Sequence, residues 1–214
     1  MNRVETILNF LDERFYDAHC ELNYSKDYEL LIAVMLSQQA TDKSVNQVTS
    51  NLFKTYPTLQ DLRNAKVEDI ERIIHSVGLS KTKAINVSKV ANILLDQYEG
   101  KVPSSRKSLM SMDGVGRKTC NVVRIEYFKI PEIPVDTHVA RVSKRLKLAK
   151  DSDDVYQVEM KLKRKIPRDR LIKFHHQMIF MGRYLCKSQN PLCEECPLKE
   201  ICHYYKTLPS KVKK

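Results

Sequence analysis

Apolar residues recur three and four positions apart along almost the whole chain and nowhere alternate strictly, a pattern that limits the fold more than any other feature. Val4, Ile7, Leu8 and Leu11 show it, as do Tyr28, Leu31, Ile32 and Met35; each set lines one face of a helix. Without a period-two run the chain is expected to be all-α. Gly and Pro are sparse, and most of them sit at breaks: Tyr56-Pro57-Thr58, Val77-Gly78-Leu79, Gly100 to Pro103, Asp113 to Gly116, Ile130 to Pro134 and Ile166-Pro167. These residues end helices, and together they cut the chain into roughly ten of them. No low-complexity linker or long repeat intervenes, and only the stretch Pro209 to Lys214 reads as disordered. At 214 residues the chain can build two modest lobes, each with its own core.

Lysine and arginine total 37 against 26 acidic residues, for a net charge of +11 and a pI near 9.3. A polyanion is the expected partner. Nucleic acid fits, because each phosphate neutralised releases counterions, and no concentrated basic amphipathic helix suggests a membrane surface instead. No apolar run approaches the ~18 residues of a membrane span, and no signal-peptide core follows Met1, so a cytoplasmic protein is expected. Four of the six cysteines fall in Cys186-x6-Cys193-x2-Cys196-x5-Cys202. Such crowding points to metal before disulfides, and the spacing alone is compatible with zinc or with a [4Fe–4S] cluster. Cys20 and Cys120 stand apart and read as core or partly buried thiols.

The segment 108–128 reads as helix, tight turn, helix. Asp113-Gly114-Val115-Gly116 closes the first helix, and Arg117 opens a second that runs through Val122 and Val123. Glycine permits a positive φ or close backbone approach, and the second helix directs amide N–H groups and its positive dipole end outward. A phosphate is a natural occupant. A bare Gly-x-Gly is equally the turn of an ordinary αα-hairpin.

Gly114-Val115-Gly116-Arg117-Lys118-Thr119 followed by Asn121-Val122-Val123 resembles the helix-hairpin-helix of the endonuclease III family, and Val135-Asp136-Thr137-His138-Val139-x-Arg141-Val142 resembles that family's next signature. Leu31-Ile32-Ala33-Val34, Gln39-Ala40-Thr41-Asp42 and the cysteine spacing extend the likeness over nearly the whole chain. The resemblance implies a two-lobed helix-hairpin-helix glycosylase fold with a C-terminal iron–sulfur cluster loop. One lobe would span residues 20–130, the other 1–19 plus 131–214, with a DNA cleft between them. It implies a monomeric DNA glycosylase and abasic-site lyase of base-excision repair, nucleoid-associated in a bacterial-type cytoplasm, acting on double-stranded DNA with damaged bases, oxidised pyrimidines first, or abasic sites. Cys186, Cys193, Cys196 and Cys202 would hold a [4Fe–4S] cluster.

The resemblance also places the nucleophile at Lys118 and the catalytic aspartate at Asp136, facing each other across the lobe boundary. An amine can attack a sugar C1′ and form an imine, which a hydroxyl cannot. A lysine is neutral in only about one molecule in 2,500 at pH 7, so deprotonation needs help from the helix N-terminus and Arg117. A carboxylate would favour the ammonium, so Asp136 is expected to stabilise the cationic sugar as the base leaves. On its own, Asp136 also reads as a helix N-cap and Lys118 as a solvated cation. Gln39 and Leu79 lie where the family carries its gap-filling glutamine and wedging leucine; unaided, they would read as a helix-end polar residue and a core leucine. His138 is a candidate contact to the opened site. Gly114, Val115, Gly116 and Arg117 would meet the DNA backbone, as would Lys187, although its loop has a single cation where relatives often carry several. His175-His176 read as structural.

Several positions depart from the family pattern. Met112-Asp113 replaces Leu-Pro before the hairpin glycines, Ser80 stands where an aromatic residue is common, and Arg124, Glu126 and Lys129 make the following helix more charged. Asp113 sets a negative charge beside the expected phosphate site. A divergent paralogue with another lesion preference is therefore one alternative, and a non-catalytic, metal-stapled DNA-backbone-binding protein is another. An adenine glycosylase fits less well, since those relatives usually lack the lysine at position 118 and carry a further C-terminal domain.

Overall fold

A computed structural model describes residues 2–209; most of the stretch read as disordered therefore lies outside the described residues. Among the described residues every regular element is helical. The chain forms two compact units, residues 21–129 and residues 1–20 with 130–214.

The first unit is arranged about α2 (Asp27–Leu36), in which every residue from Tyr28 to Leu36 is buried. A helix apolar all round has no solvent face, so others must cover it. It is covered by α3 (Asp42–Thr55), α6 (Ser80–Gln97) and α8 (Arg117–Glu126), while α4 (Leu59–Asn64) and α5 (Val67–Ile74) pack on α6, and α7 (Arg106–Met110) packs on α8. Their starts are written in the sequence. The Thr41 hydroxyl accepts from the Ser44 amide at 3.2 Å, and Thr58 and Asp61 form a reciprocal capping box. Each such cap satisfies amides that the helix leaves unpaired.

The second unit packs α1 (Arg3–Arg14) with α9 (Thr137–Arg145), α10 (Val155–Lys165), α11 (Leu171–Phe180) and α12 (His203–Thr207). Ile7, Leu11, Val139, Val142, Leu162, Phe174 and Met178 share one core, which also takes in Cys186 and Cys202. His175 and His176 are buried in α11. Directly after α11 the chain widens into a π-helical turn, Met181–Leu185, which delivers Cys186.

Asp12 fastens α1 to α11. Its carboxylate accepts from Arg170 at 2.7 Å, Lys173 at 2.8 Å and Gln177 at 3.0 Å. Burial alone would raise its pKa, but hydrogen bonds from Lys173, Gln177 and Arg170 together outweigh it and hold the group at about 2. A depressed carboxyl pKa contributes stability that is complete above the unfolded value near 4 and disappears as pH falls through about 2. After allowance for solvent screening the contribution is on the order of 1 kcal/mol. Asp12→Asn should therefore melt below the native protein at pH 6, and the gap should close as pH falls from about 4 to about 2, as followed by calorimetry across that range.

Candidate active site and iron–sulfur loop

In the first unit the hairpin between α7 and α8 has the geometry its glycines suggested, with one difference. Gly114 has φ +78°, and a Cβ there would lie 2.7 Å from the Asn86 side-chain nitrogen, so conformation and space both demand glycine. Gly116 has φ −82° and ψ 179°, which any residue tolerates, and an added Cβ would meet no atom within 4 Å. It caps α8 without a side-chain cap. The start of that helix is thus left open to an outside acceptor. The hairpin residues from Met110 to Thr119, with Gln38, line an open hollow of about 660 Å³. Lys118 is exposed there in the first turn of α8, next to Arg117. Val115 is buried, so its side chain belongs to the core and only its backbone remains for a ligand. Asp113 pairs with Lys89 at 3.0 Å, which offsets the negative charge that the sequence set beside this turn.

Gln39 and Leu79 belong to the same unit and share an unusual backbone. Both are exposed, and both are left-handed, with φ of 56° and 61°. Leu79 is not the core residue its composition suggests; it is 62% exposed. The loops carrying them lie close together: a Cβ at Gly78 would lie 3.9 Å from the Gln39 carbonyl oxygen. Gln38 ties this corner to the hairpin by donating from Nε2 to the Gly114 carbonyl at 3.0 Å.

In the second unit Asp136 is the N-cap of α9, its Oδ1 accepting from the Val139 amide at 2.8 Å. Oδ2 lies 3.0 Å from His138 Nδ1. A carboxylate offers only acceptors, so that ring nitrogen carries the proton of the bond. The cap and the histidine fix the carboxylate's direction while its side chain stays 15% exposed. His138 is thereby a partner of Asp136 in addition to being partly open.

The cysteine loop is fastened to the other end of α9. Arg145 stacks 3.9 Å from the Tyr204 ring centre and donates to the Lys187 carbonyl at 2.7 Å, to Cys186 Sγ at 3.3 Å and to the Ser188 carbonyl at 3.3 Å. Arg141 donates to the carbonyls of Gly182 at 2.8 Å and Cys186 at 3.2 Å. Arg141 stood in the signature quoted above with no role attached, and Arg145 was not singled out; contacts to residues 41 and more positions away leave little local signal. The Lys187 side chain is exposed. Cys186, Cys193, Cys196 and Cys202 line one pocket walled by Leu146, Met181 and Leu185, and none of them is in a disulfide. Among the described residues no three metal-binding side chains close on a single ion. Four thiols lining one pocket are a soft donor set of the kind that fits an iron–sulfur cluster. Burial first, and then the neighbouring cysteines, push Cys196 up to about 11 and raise Cys193. Such a set is at ease as thiolates only around positive charge.

The family model of the HhH-GPD superfamily base excision DNA repair proteins matches residues 32–168, and that of the iron–sulfur binding domain of endonuclease III matches residues 186–202. Endonuclease III of Bacillus subtilis (strain 168) is 44% identical over 202 residues, covering 94% of this chain and 92% of the relative. The solved structure of a non-covalent endonuclease III–DNA complex superposes with a TM-score of 0.94 at 44% identity, covering all of both chains. A trapped endonuclease III–DNA covalent intermediate gives 0.91 at 47% identity, covering 96% of this chain and 98% of the other. With the open α8 start, the oriented carboxylate and the four-thiol pocket, these likenesses show that the chain belongs to the endonuclease III family of HhH-GPD base-excision DNA repair proteins and carries that family's iron–sulfur binding domain.

Proposed function

We propose that this enzyme removes damaged bases from double-stranded DNA and then cleaves the abasic strand, with Lys118 as nucleophile and Asp136 as its electrostatic partner. The carrying observation is an exposed lysine in the first turn of an uncapped helix start, in a chain similar to one trapped as a covalent DNA intermediate. The amides at Gly116 to Thr119 bind a strand phosphate and bring Lys118 to the sugar. As the damaged base leaves, the Lys118 amine bonds to C1′, and Asp136, held by Val139 and His138, stabilises the positive charge that develops on the sugar. The sugar ring then opens: the C1′–O4′ bond breaks, O4′ takes a proton given up by the lysine nitrogen and becomes a hydroxyl, and C1′ is left as a protonated imine. The imine acidifies the C2′ proton; its loss expels the 3′ phosphate by β-elimination, and water then releases the lysine. Lys118 comes from one unit and Asp136 from the other, so a single chain supplies both and a monomer suffices.

Gln39 and Leu79, exposed on strained backbone, fill the space that an extruded nucleotide leaves. Oxidised pyrimidines are the proposed substrates, and the bacterial nucleoid, in the cytoplasm, the place of work. Cys186, Cys193, Cys196 and Cys202 ligate a [4Fe–4S] cluster that secures the C-terminal loop and presents Lys187 to DNA. Brown protein with broad visible absorbance and about four irons per chain is the expected preparation; colourless protein containing zinc would refute the assignment.

Borohydride reduction on a duplex with one abasic site tests the nucleophile: native protein should give a covalent adduct and Lys118→Ala none, while well-folded native protein without an adduct would leave only a DNA-binding role. The two hairpin glycines should separate stability from binding. Gly114→Ala should cost about 1–3 kcal/mol in denaturant unfolding, because it forces a side chain into left-handed backbone and against Asn86. Gly116→Ala should unfold like the native protein yet bind duplex several-fold more weakly in a salt titration, since its methyl group occupies the space of the approaching phosphate.

A further inference from the structure

Lys83 is a buried lysine with no part in the chemistry above. It lies one turn into α6, is only 6% exposed, and continues the buried stripe of Val87, Val90, Ala91 and Leu94. Its ammonium donates to the Leu36 carbonyl at 2.8 Å and to the Gln38 carbonyl at 2.7 Å. Burial pulls its pKa below the usual lysine value. Desolvating an ammonium is costly, and an apolar side chain of the same length would fill this stripe without that cost.

Its contacts indicate what the cost supports. The Lys83 amide donates to the Leu79 carbonyl at 3.0 Å, closing the first turn of α6 on the left-handed Leu79. The Lys83 ammonium grips the carbonyl of Gln38, immediately before the left-handed Gln39. The ammonium thus fixes the backbone beside Gln39 from the same first turn of α6 that closes on Leu79, and the two loops lie close at Gly78. Non-glycine residues remain left-handed only where the surroundings over-determine them. The Leu36 carbonyl also ends α2, where the helix dipole favours a cation.

We propose that Lys83 is a positioning residue that holds Gln39 and Leu79 as a rigid pair, so that both enter the opened duplex together and the enzyme distinguishes a lesion site from intact DNA. The proposal rests on Gln39 and Leu79 as the gap-filling side chains.

The test uses cluster-loaded, full-length protein and a duplex carrying a tetrahydrofuran abasic analogue, with 2-aminopurine as the opposite base. Insertion unstacks the 2-aminopurine and raises its fluorescence. For Lys83→Met, folded as judged by circular dichroism, the fluorescence rise should be lost, and the preference for the abasic duplex over an undamaged one should fall by about tenfold or more. Affinity for the undamaged duplex should stay within about twofold, because that contact belongs to the hairpin. Lys83→Arg, which keeps a cation and its donors, should restore part of the rise. If Lys83→Met does not fold, Lys83→Gln takes its place, with a smaller loss expected. A folded Lys83→Met or Lys83→Gln with native fluorescence and native discrimination would overturn the proposal. Leu79→Ala and Gln39→Ala separate the two levels: if they leave the rise intact, the gap-filling reading fails and this proposal with it. If they abolish it while the folded Lys83 variant does not, the role of Lys83 alone fails.

Discussion

The carboxyl end of α2 sets the conditions for the rest of the first unit. That helix is buried all round, so its last carbonyls cannot turn to water and must find donors inside the protein. The Ser37 hydroxyl takes the Val34 carbonyl at 2.9 Å, and the Lys83 ammonium takes that of Leu36. Once a lysine from α6 is committed there, the chain leaving α2 is pinned within a residue or two. Gln38 is then drawn to the hairpin carbonyl of Gly114. The three segments proposed to meet DNA thus owe their relation to one problem of hydrogen-bond satisfaction.

In the second unit α9 plays a comparable part with its two ends put to different use. Its first turn orients Asp136 through an amide and an imidazole. Its last turns carry Arg141 and Arg145, whose donors hold the backbone of the cysteine loop. The packing is tight enough that a Cβ at Gly182 would lie 2.7 Å from the His138 Cβ. The π-helical turn that contains Gly182 is the irregularity that brings Cys186 to the pocket, and irregular turns of this kind recur at functional sites.

Legibility in the sequence followed the range of the interaction. Helices and their breaks are local, and the residue types around Pro57 and Gly114 announced them directly. The gathering of the four cysteines in one loop and Asp136 as a helix cap were legible because each is a local pattern. Long-range pairings were not: Lys83 meets a carbonyl 47 positions away and Arg145 a thiol 41 away, and neither leaves a local pattern beyond a charge at the edge of an apolar face. Leu79 and Val115 exchanged their simplest expectations, the leucine turning outward and the hairpin valine inward. Left-handed backbone accompanies the exposure of Leu79, and composition does not report it. Asp113 looked adverse in isolation because Lys89, 24 positions earlier, was not visible as its partner.

Peptide mapping of the borohydride-reduced adduct on abasic duplex bears most directly on the chemistry assigned to this fold. The expected result is a single modified peptide, with the reduced sugar remnant on the Lys118 side chain. A remnant found instead on the N-terminal amine, on Lys83 or on another lysine would contradict the assignment, whatever the rate at which the adduct forms.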